Sequence, residues 1–222
     1  MDFKRTKGII PSFACALKRL CSKNDFADVR QMPASRFDSF EAPSVTILDY
    51  IIRIYKYSRS SYKSYIYAFI YIDRIINSNL FIVNSYNIHR LVITSLMIAS
   101  KFIDDRGYNN ELHSKMGGVS LEEINSLEVE FLFLLNFNLF VDEKECQCYD
   151  QFLQEHAIGK SCSCLDDLYF VEQKLPDYIF ARKKVPSGPI IRSAFVSTVA
   201  AKSRSVKHKE KHIHGQLRNR KR

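Results

Sequence analysis

Two neighbouring stretches of this chain, Tyr62 to Asn77 and Asn84 to Ile103, are apolar on nearly every side when read at helical spacing. A surface helix needs only one apolar stripe, whereas a helix apolar all round must be covered by others. The first stretch carries Ile66, Phe69, Ile70, Ile72, Ile75 and Ile76 and stops at Asn77-Ser78-Asn79. The second is capped by Asn84-Ser85 and contains LMIASKFIDD. Two buried helices need a jacket, and the flanking sequence offers one. Pro43-Ser44 opens a helix with serine as N-cap, and Ile47, Ile51 and Ile54 line one face of it up to Tyr57. Ser58 to Ser61 reads as a short turn. On the other side, Asn109 to Met116 closes at Gly117-Gly118, where glycine takes the left-handed cap conformation. Ser120 with Glu123 is a capping box for a helix running to Leu135. The spacing predicts five helices, over 44–57, 61–77, 85–104, 109–116 and 120–135. Short connections make them one all-α domain, and seven Gly and six Pro are too few for a turn-rich all-β protein.

The flanks are less regular. Phe13 to Cys21 is amphipathic and predicts a short helix, and Ser22 to Glu41 reads as a polar linker. Asn136 to Val141 reads as a turn into a sixth helix, Glu143 to His156. Beyond Ser161 the segment LDDLYFVEQKLPDYIF is broken by Pro176 and is too short for a second copy of the domain. From Arg182 onward thirteen Lys and Arg face the single acid Glu210, a net +12 in a chain whose total is +9. The basic character therefore belongs to the tail, and the body is mildly acidic. Such a tail reads first as a solvated, disordered basic run or a nuclear-import signal. The expected organisation is 1–43 N-terminal helix and linker, 44–140 helical domain, 141–181 helical extension and 182–222 basic tail.

Several functions are disfavoured. The opening MDFKRTKGIIPSF has no signal-type apolar segment, and no charge-free run approaches the roughly 20 residues needed to span a bilayer. The six cysteines are then expected to stay reduced, in cytosol or nucleus. Cys146-x-Cys148 and Cys162-x-Cys164 are too closely spaced for the usual zinc site. His208, His212 and His214 read as solvated tail residues, and His89 and His113 as polar surface or capping residues. There is no GxSxG, no HExxH and no glycine-rich phosphate loop. No catalytic residue, metal or cofactor is expected.

Three charges lie on apolar lines. Lys101 follows Thr94, Met97 and Ile98 at helical spacing, Asp73 shares a face with Ile66, Phe69, Ile70 and Ile76, and Glu128 with Ile124, Phe131 and Leu135. A charge so placed needs a partner within the protein or on another one. Lys101 and Glu128, on different helices, are matched to pair with each other. The alternative is three solvent-facing charges at the edges of their stripes.

The fragments YIDRII (Tyr71 to Ile76), LMIASKFIDD (Leu96 to Asp105) and LEVEFLFLLNFNLFV (Leu127 to Val141) resemble, in order, the cyclin box. APSVTILDYIIRIYKY, NIHRLVITSLMIASKFIDD, the YNN after it, GGVS and the leader ALKRLCSKND resemble the plant U-type (P-type) cyclins, which are similar to the yeast cyclins of phosphate signalling. The resemblance covers about Phe13 to Ala157. It implies a single five-helix cyclin box and a non-catalytic regulatory subunit that binds and activates a cyclin-dependent kinase of the PSTAIRE class, A-type by expectation. Cell-cycle or phosphate-linked control in nucleus and cytoplasm is implied with it, and no homo-oligomer is required. It also implies that Lys101 and Glu128 pair and contact the kinase, and that Asp73 braces the first helix of the box. The arginine that such an aspartate meets in mitotic cyclins, within an MRAIL motif, is missing here, where Ser44-Val45-Thr46-Ile47 stands. Arg74 or Arg53 is the available substitute, and the docking patch for RxL-type substrates is expected to be absent. The rival reading is a nucleic-acid-binding helical protein resembling transcription factors with cyclin-like repeats. Those have two repeats with basic residues on the folded domain, whereas here a single acidic domain carries a basic tail.

Overall fold

The computed structural model describes residues 3–25, 35–58, 60–78, 81–105 and 109–158. Seven helices make up the described part: α1 Phe3–Asn24, α2 Ile47–Tyr57, α3 Tyr62–Asn77, α4 Ile88–Ile103, α5 Asn110–Gly117, α6 Leu121–Leu134 and α7 Glu143–Ile158. No strand occurs among the described residues, as the all-α reading requires. The expected tail and the segment after Ser161 lie outside the described residues.

The two helices expected to be central are central. α3 and α4 pack most extensively on each other, with α2, α5 and α6 against α4 and with α1 and α7 against α3. Every residue of α4 from Leu91 to Ser100 is buried. The hydroxyls in that stretch need no outside partner. Thr94 Oγ1 donates to the Arg90 carbonyl, Ser95 Oγ to Val92 and Ser100 Oγ to Met97, all within the helix. Small side chains thus let neighbours approach α4 without leaving an unsatisfied polar group.

Caps set most boundaries. Ser61 accepts from Ser64 N, Asn109 from Leu112 N and Ser120 from Glu123 N. Helix α2 starts at Ile47, not Ser44, because Thr46 is the residue that caps it, through Asp49 N. Helix α4 likewise starts at Ile88, not Ser85. Asn84 instead builds the preceding turn, its backbone N donating to Asn87 Oδ1 and its Oδ1 accepting from Tyr86 N. The capping box at Ser120 is half formed, since Glu123 turns away to Arg90 Nε, 2.6 Å from its Oε1. The two glycines after α5 differ in purpose. Gly118 has φ +70°, while a Cβ on Gly117 would sit 2.8 Å from Ile93 Cγ1, so Gly117 lets α5 lie against α4.

Two expectations at the N-terminus are corrected. Helix α1 is 22 residues long, not a short segment from Phe13 to Cys21, and it continues through Pro11. Burial overrides the breaker: Thr6, Ile9, Ile10, Phe13, Leu17 and Cys21 form one buried stripe across it. Phe13 meets Phe69 of α3 edge-on at 5.1 Å, and Phe69 stacks on Phe152 of α7. The polar linker is also more than a linker. Phe37 is fully buried against Phe81 and Phe131, and Ser35 Oγ and Arg36 N both donate to Glu130. Burial raises the Glu130 pKa, while the Ser35 and Arg36 bonds oppose the shift.

Candidate functional site

Lys101 lies in the last turn of α4, where a cation is favoured by the helix dipole, and Glu128 lies midway along α6. The packing of α4 on α6 brings Lys101 Nζ to 2.6 Å from Glu128 Oε1. Their side chains are 33% and 21% exposed, so the pair is neither buried in the core nor loose in solvent. Asn110, at the start of α5, donates to the second carboxylate oxygen at 2.7 Å and to Asn125 Oδ1 at 2.7 Å. Three helices therefore meet at one carboxylate. Behind them His113 is buried, with Nδ1 donating to the Asn109 carbonyl at 3.1 Å. Burial pushes its pKa below the ordinary histidine value, and the positive charge of Lys101 adds to the effect.

Several apolar residues that periodicity had not singled out are exposed: Phe102, next to Lys101 in the chain, Val129, next to Glu128, and then Phe133, Phe137 and Phe140. A count of the stripe on α6 would have found Val129 and Phe133, which repeat at i and i+4 off the buried line. Phe137 could not have been found that way. Helix α6 ends in a Schellman turn in which Phe137 N donates to the Leu132 carbonyl and Asn136 N to Phe133. Asn136 and Phe137 both have positive φ, +50° and +57°. A bulky residue in that region costs about 1–2 kcal/mol, which the surrounding contacts must offset. The Phe137 ring packs edge-on against Phe133 at 5.4 Å.

Arg74 holds this turn from below. Its guanidinium donates to the carbonyls of Asn138 and Phe140, at 2.7 and 3.0 Å, and to both oxygens of Glu145. Tyr71 OH donates to the Leu139 carbonyl at 2.9 Å. Helix α3 thus shapes the backbone that displays Phe137 and Phe140.

Asp73, expected to brace the first helix of the box, lies on α3. Its carboxylate accepts from Tyr149 OH of α7 at 2.6 Å and from Asn77 Nδ2 at 2.8 Å, joining α3 to α7. The two arginines named as substitutes have these described partners. Arg74 is engaged as above, and Arg53 of α2 lies over the Tyr50 ring and donates to the Gly117 carbonyl. That carbonyl also accepts from Tyr50 OH, so α2 is secured to the end of α5 instead.

No group of three or more His, Cys, Asp or Glu able to hold a metal occurs among the described residues. Cys146 and Cys148 are both free, and two residues apart on α7 their side chains diverge. Cys162 and Cys164 and the three tail histidines lie outside the described residues. Among those described, no helix is long and apolar enough to cross a membrane.

A helical domain with this pair on its surface can be compared with known proteins, and the family model described as Cyclin matches residues 10–139. The chain belongs to the cyclin family. Cyclin-U4-3 of Arabidopsis thaliana is 42% identical over 147 residues, covering 66% of this chain and 67% of its own. Cyclin-U2-2 of the same plant is 33% identical over 179 residues, covering 74% and 78%. Cyclin-P4-1 of Oryza sativa subsp. japonica is 35% identical over 153 residues, covering 66% and 72%. The likeness is therefore to the plant U- and P-type cyclins, and the helices α2 to α6 lie within the matched span. Membership supports a cyclin-type regulatory role for the chain.

Proposed function

We propose that this cyclin binds and activates a cyclin-dependent serine/threonine kinase through the Lys101–Glu128 pair and the exposed aromatic residues beside it. The observation that carries the reading is an incompletely used cation. An ammonium has three hydrogens to donate, and among the described residues Lys101 Nζ has one hydrogen bond, to Glu128. Its remaining donors suit backbone carbonyls on a partner. Phe102 and Val129 adjoin the pair in sequence, Phe133, Phe137 and Phe140 follow on α6 and the turn after it, and all five are exposed; desolvated aromatic residues are what commonly anchor an interface. The fitting partner is a kinase whose regulatory helix is of the PSTAIRE class, A-type first among them.

Activation then follows from differential binding. The cyclin contacts one position of the kinase helix and not the other, and the population moves toward the aligned active site. The kinase's own Lys–Glu pair has to form before phosphoryl transfer is efficient. The cyclin contributes no reacting group. Cell-cycle or phosphate-linked control, in nucleus and cytoplasm, is the setting this reading entails.

The test is capture and reconstitution. The purified chain should phosphorylate nothing alone, should capture a cyclin-dependent kinase, and should raise that kinase's activity on mixing. Capture of no kinase, together with salt-sensitive binding to arbitrary DNA, would replace this reading with the nucleic-acid one.

A further inference from the structure

We propose that Asn110 is a positioning residue for kinase binding: its amide clamps Glu128 so that Lys101 is left as the donor presented to the partner. The inference rests on the kinase reading above and assigns a role to a residue outside the charged pair.

One nitrogen carries two hydrogens, and both are used. Asn110 Nδ2 reaches Glu128 Oε2 and Asn125 Oδ1, each at 2.7 Å. These acceptors are three residues apart on α6, hence on one face. Two acceptors on the same side fix the amide with its nitrogen toward α6. Its backbone is fixed as well, because Asn110 is the first residue of α5 and follows the N-cap Asn109, which accepts from Leu112 N at 3.0 Å. The amide therefore arrives at Glu128 already oriented.

The chemistry of the residue matters. A lysine at this position would compete with Lys101 for the carboxylate and add a second charge. An aspartate would repel Glu128, and an alanine would leave Oε2 without its described donor. A neutral amide alone serves both acceptors while the Lys101–Glu128 pair keeps its charge balance. With Oε2 held, the carboxylate plane cannot swing, Oε1 stays 2.6 Å from Lys101 Nζ, and the lysine is held at one place on the surface. Ordering two long side chains before binding removes part of the entropy otherwise lost at the interface.

Asn110→Asp is the informative variant. A carboxylate at the first position of a helix is favoured by its dipole, so α5 should start as well as before while Glu128 meets a like charge. Against the cyclin-dependent kinase that the wild-type chain captures, Asn110→Asp should bind about thirtyfold more weakly and Asn110→Ala about tenfold, the order expected for losing a hydrogen bond to a charged group. The melting temperature of Asn110→Asp should stay near wild type. Added salt should recover part of the Asn110→Asp loss and little of the Asn110→Ala loss, because only the former is a charge repulsion. In a Glu128→Ala background, Asn110→Ala should cost less than about twofold, since the two act as one unit. Wild-type affinity in Asn110→Asp, or an equal Asn110→Ala loss with and without Glu128, would overturn the clamp and leave the kinase reading standing. Failure of the wild-type chain to bind any cyclin-dependent kinase would remove both.

Discussion

Two cation–carboxylate pairs in this fold have similar separations and different surroundings. Arg74 Nη2 lies 2.9 Å from Glu145, with side chains 18% and 8% exposed, and the same guanidinium also holds the carbonyls of Asn138 and Phe140. Lys101 Nζ lies 2.6 Å from Glu128 and makes no further described hydrogen bond. The first pair directs its donors into its own chain and is architecture, since it builds the turn that displays Phe137 and Phe140. The second keeps donors in reserve at the surface. A residue's neighbours, more than its charge, separate a bond that supports the fold from one that, on the proposed reading, is open to a partner.

The largest expected effect comes from breaking the architectural pair. Arg74→Ala leaves Glu145 in a desolvated place without its cation and frees two turn carbonyls, so chemical denaturation should report a loss of about 3–5 kcal/mol. A loss under about 1 kcal/mol would make the two pairs equivalent and dissolve the contrast. Next, Lys101→Ala or Glu128→Ala should weaken kinase binding by about 2–5 kcal/mol while the free protein stays folded. Gly117→Ala probes the platform beneath the surface pair. Its Cβ would meet Ile93 Cγ1 at 2.8 Å, pushing α5 from α4 at a cost in stability of about 1–3 kcal/mol. An unchanged melt would show that α5 has room to spare.

The smallest effect concerns Glu130, whose folded pKa is raised by burial more than the Ser35 and Arg36 bonds lower it. A carboxyl raised in the folded state contributes stability at pH below its unfolded value of 4.5, and that contribution is lost as pH rises through the folded value. Glu130→Gln removes the titration. The melting temperature of wild type relative to Glu130→Gln should therefore fall as pH rises from 4.5 upward, read as a difference so that other carboxylates cancel. A rise would mean that the hydrogen bonds from Ser35 and Arg36 outweigh burial.

Much of the helical order was legible because caps and apolar spacing act locally. Ser61, Asn109 and Ser120 each cap the helix they announce. Starts moved where a nearer residue made the cap, as Thr46 does for α2. What stayed hidden depends on contacts distant in sequence. Gly8 and Pro11 look like breakers, yet α1 runs past them because Phe13 and its stripe have α3 and α7 to pack on. Phe37 is one of several apolar residues scattered in a polar run, and nothing local says that Phe81 and Phe131 wait for it. Lys101 and Glu128 were conspicuous as charges on apolar lines, whereas Asn110 is an ordinary helix-start residue and Phe137 owes its exposure to a turn held by Arg74. Asp73 was visible as a buried-side charge, but its partner Tyr149 lies on a helix outside the five of the box.

The central claim is that Lys101 and Glu128 act as one unit on a kinase and not on the fold. A double-mutant cycle tests it most directly: kinase-binding titrations of Lys101→Ala, Glu128→Ala and the double variant, each beside a thermal melt. Lys63→Ala serves as control, since Lys63 pairs with Glu143 at 3.4 Å on an open surface and such pairs contribute about 0–1 kcal/mol. Each single variant should lose roughly thirtyfold or more in affinity, the double should lose far less than the sum, and the melts should stay close to wild type. Full affinity in both single variants would contradict the account and leave Lys101 as a lysine at the edge of an apolar stripe.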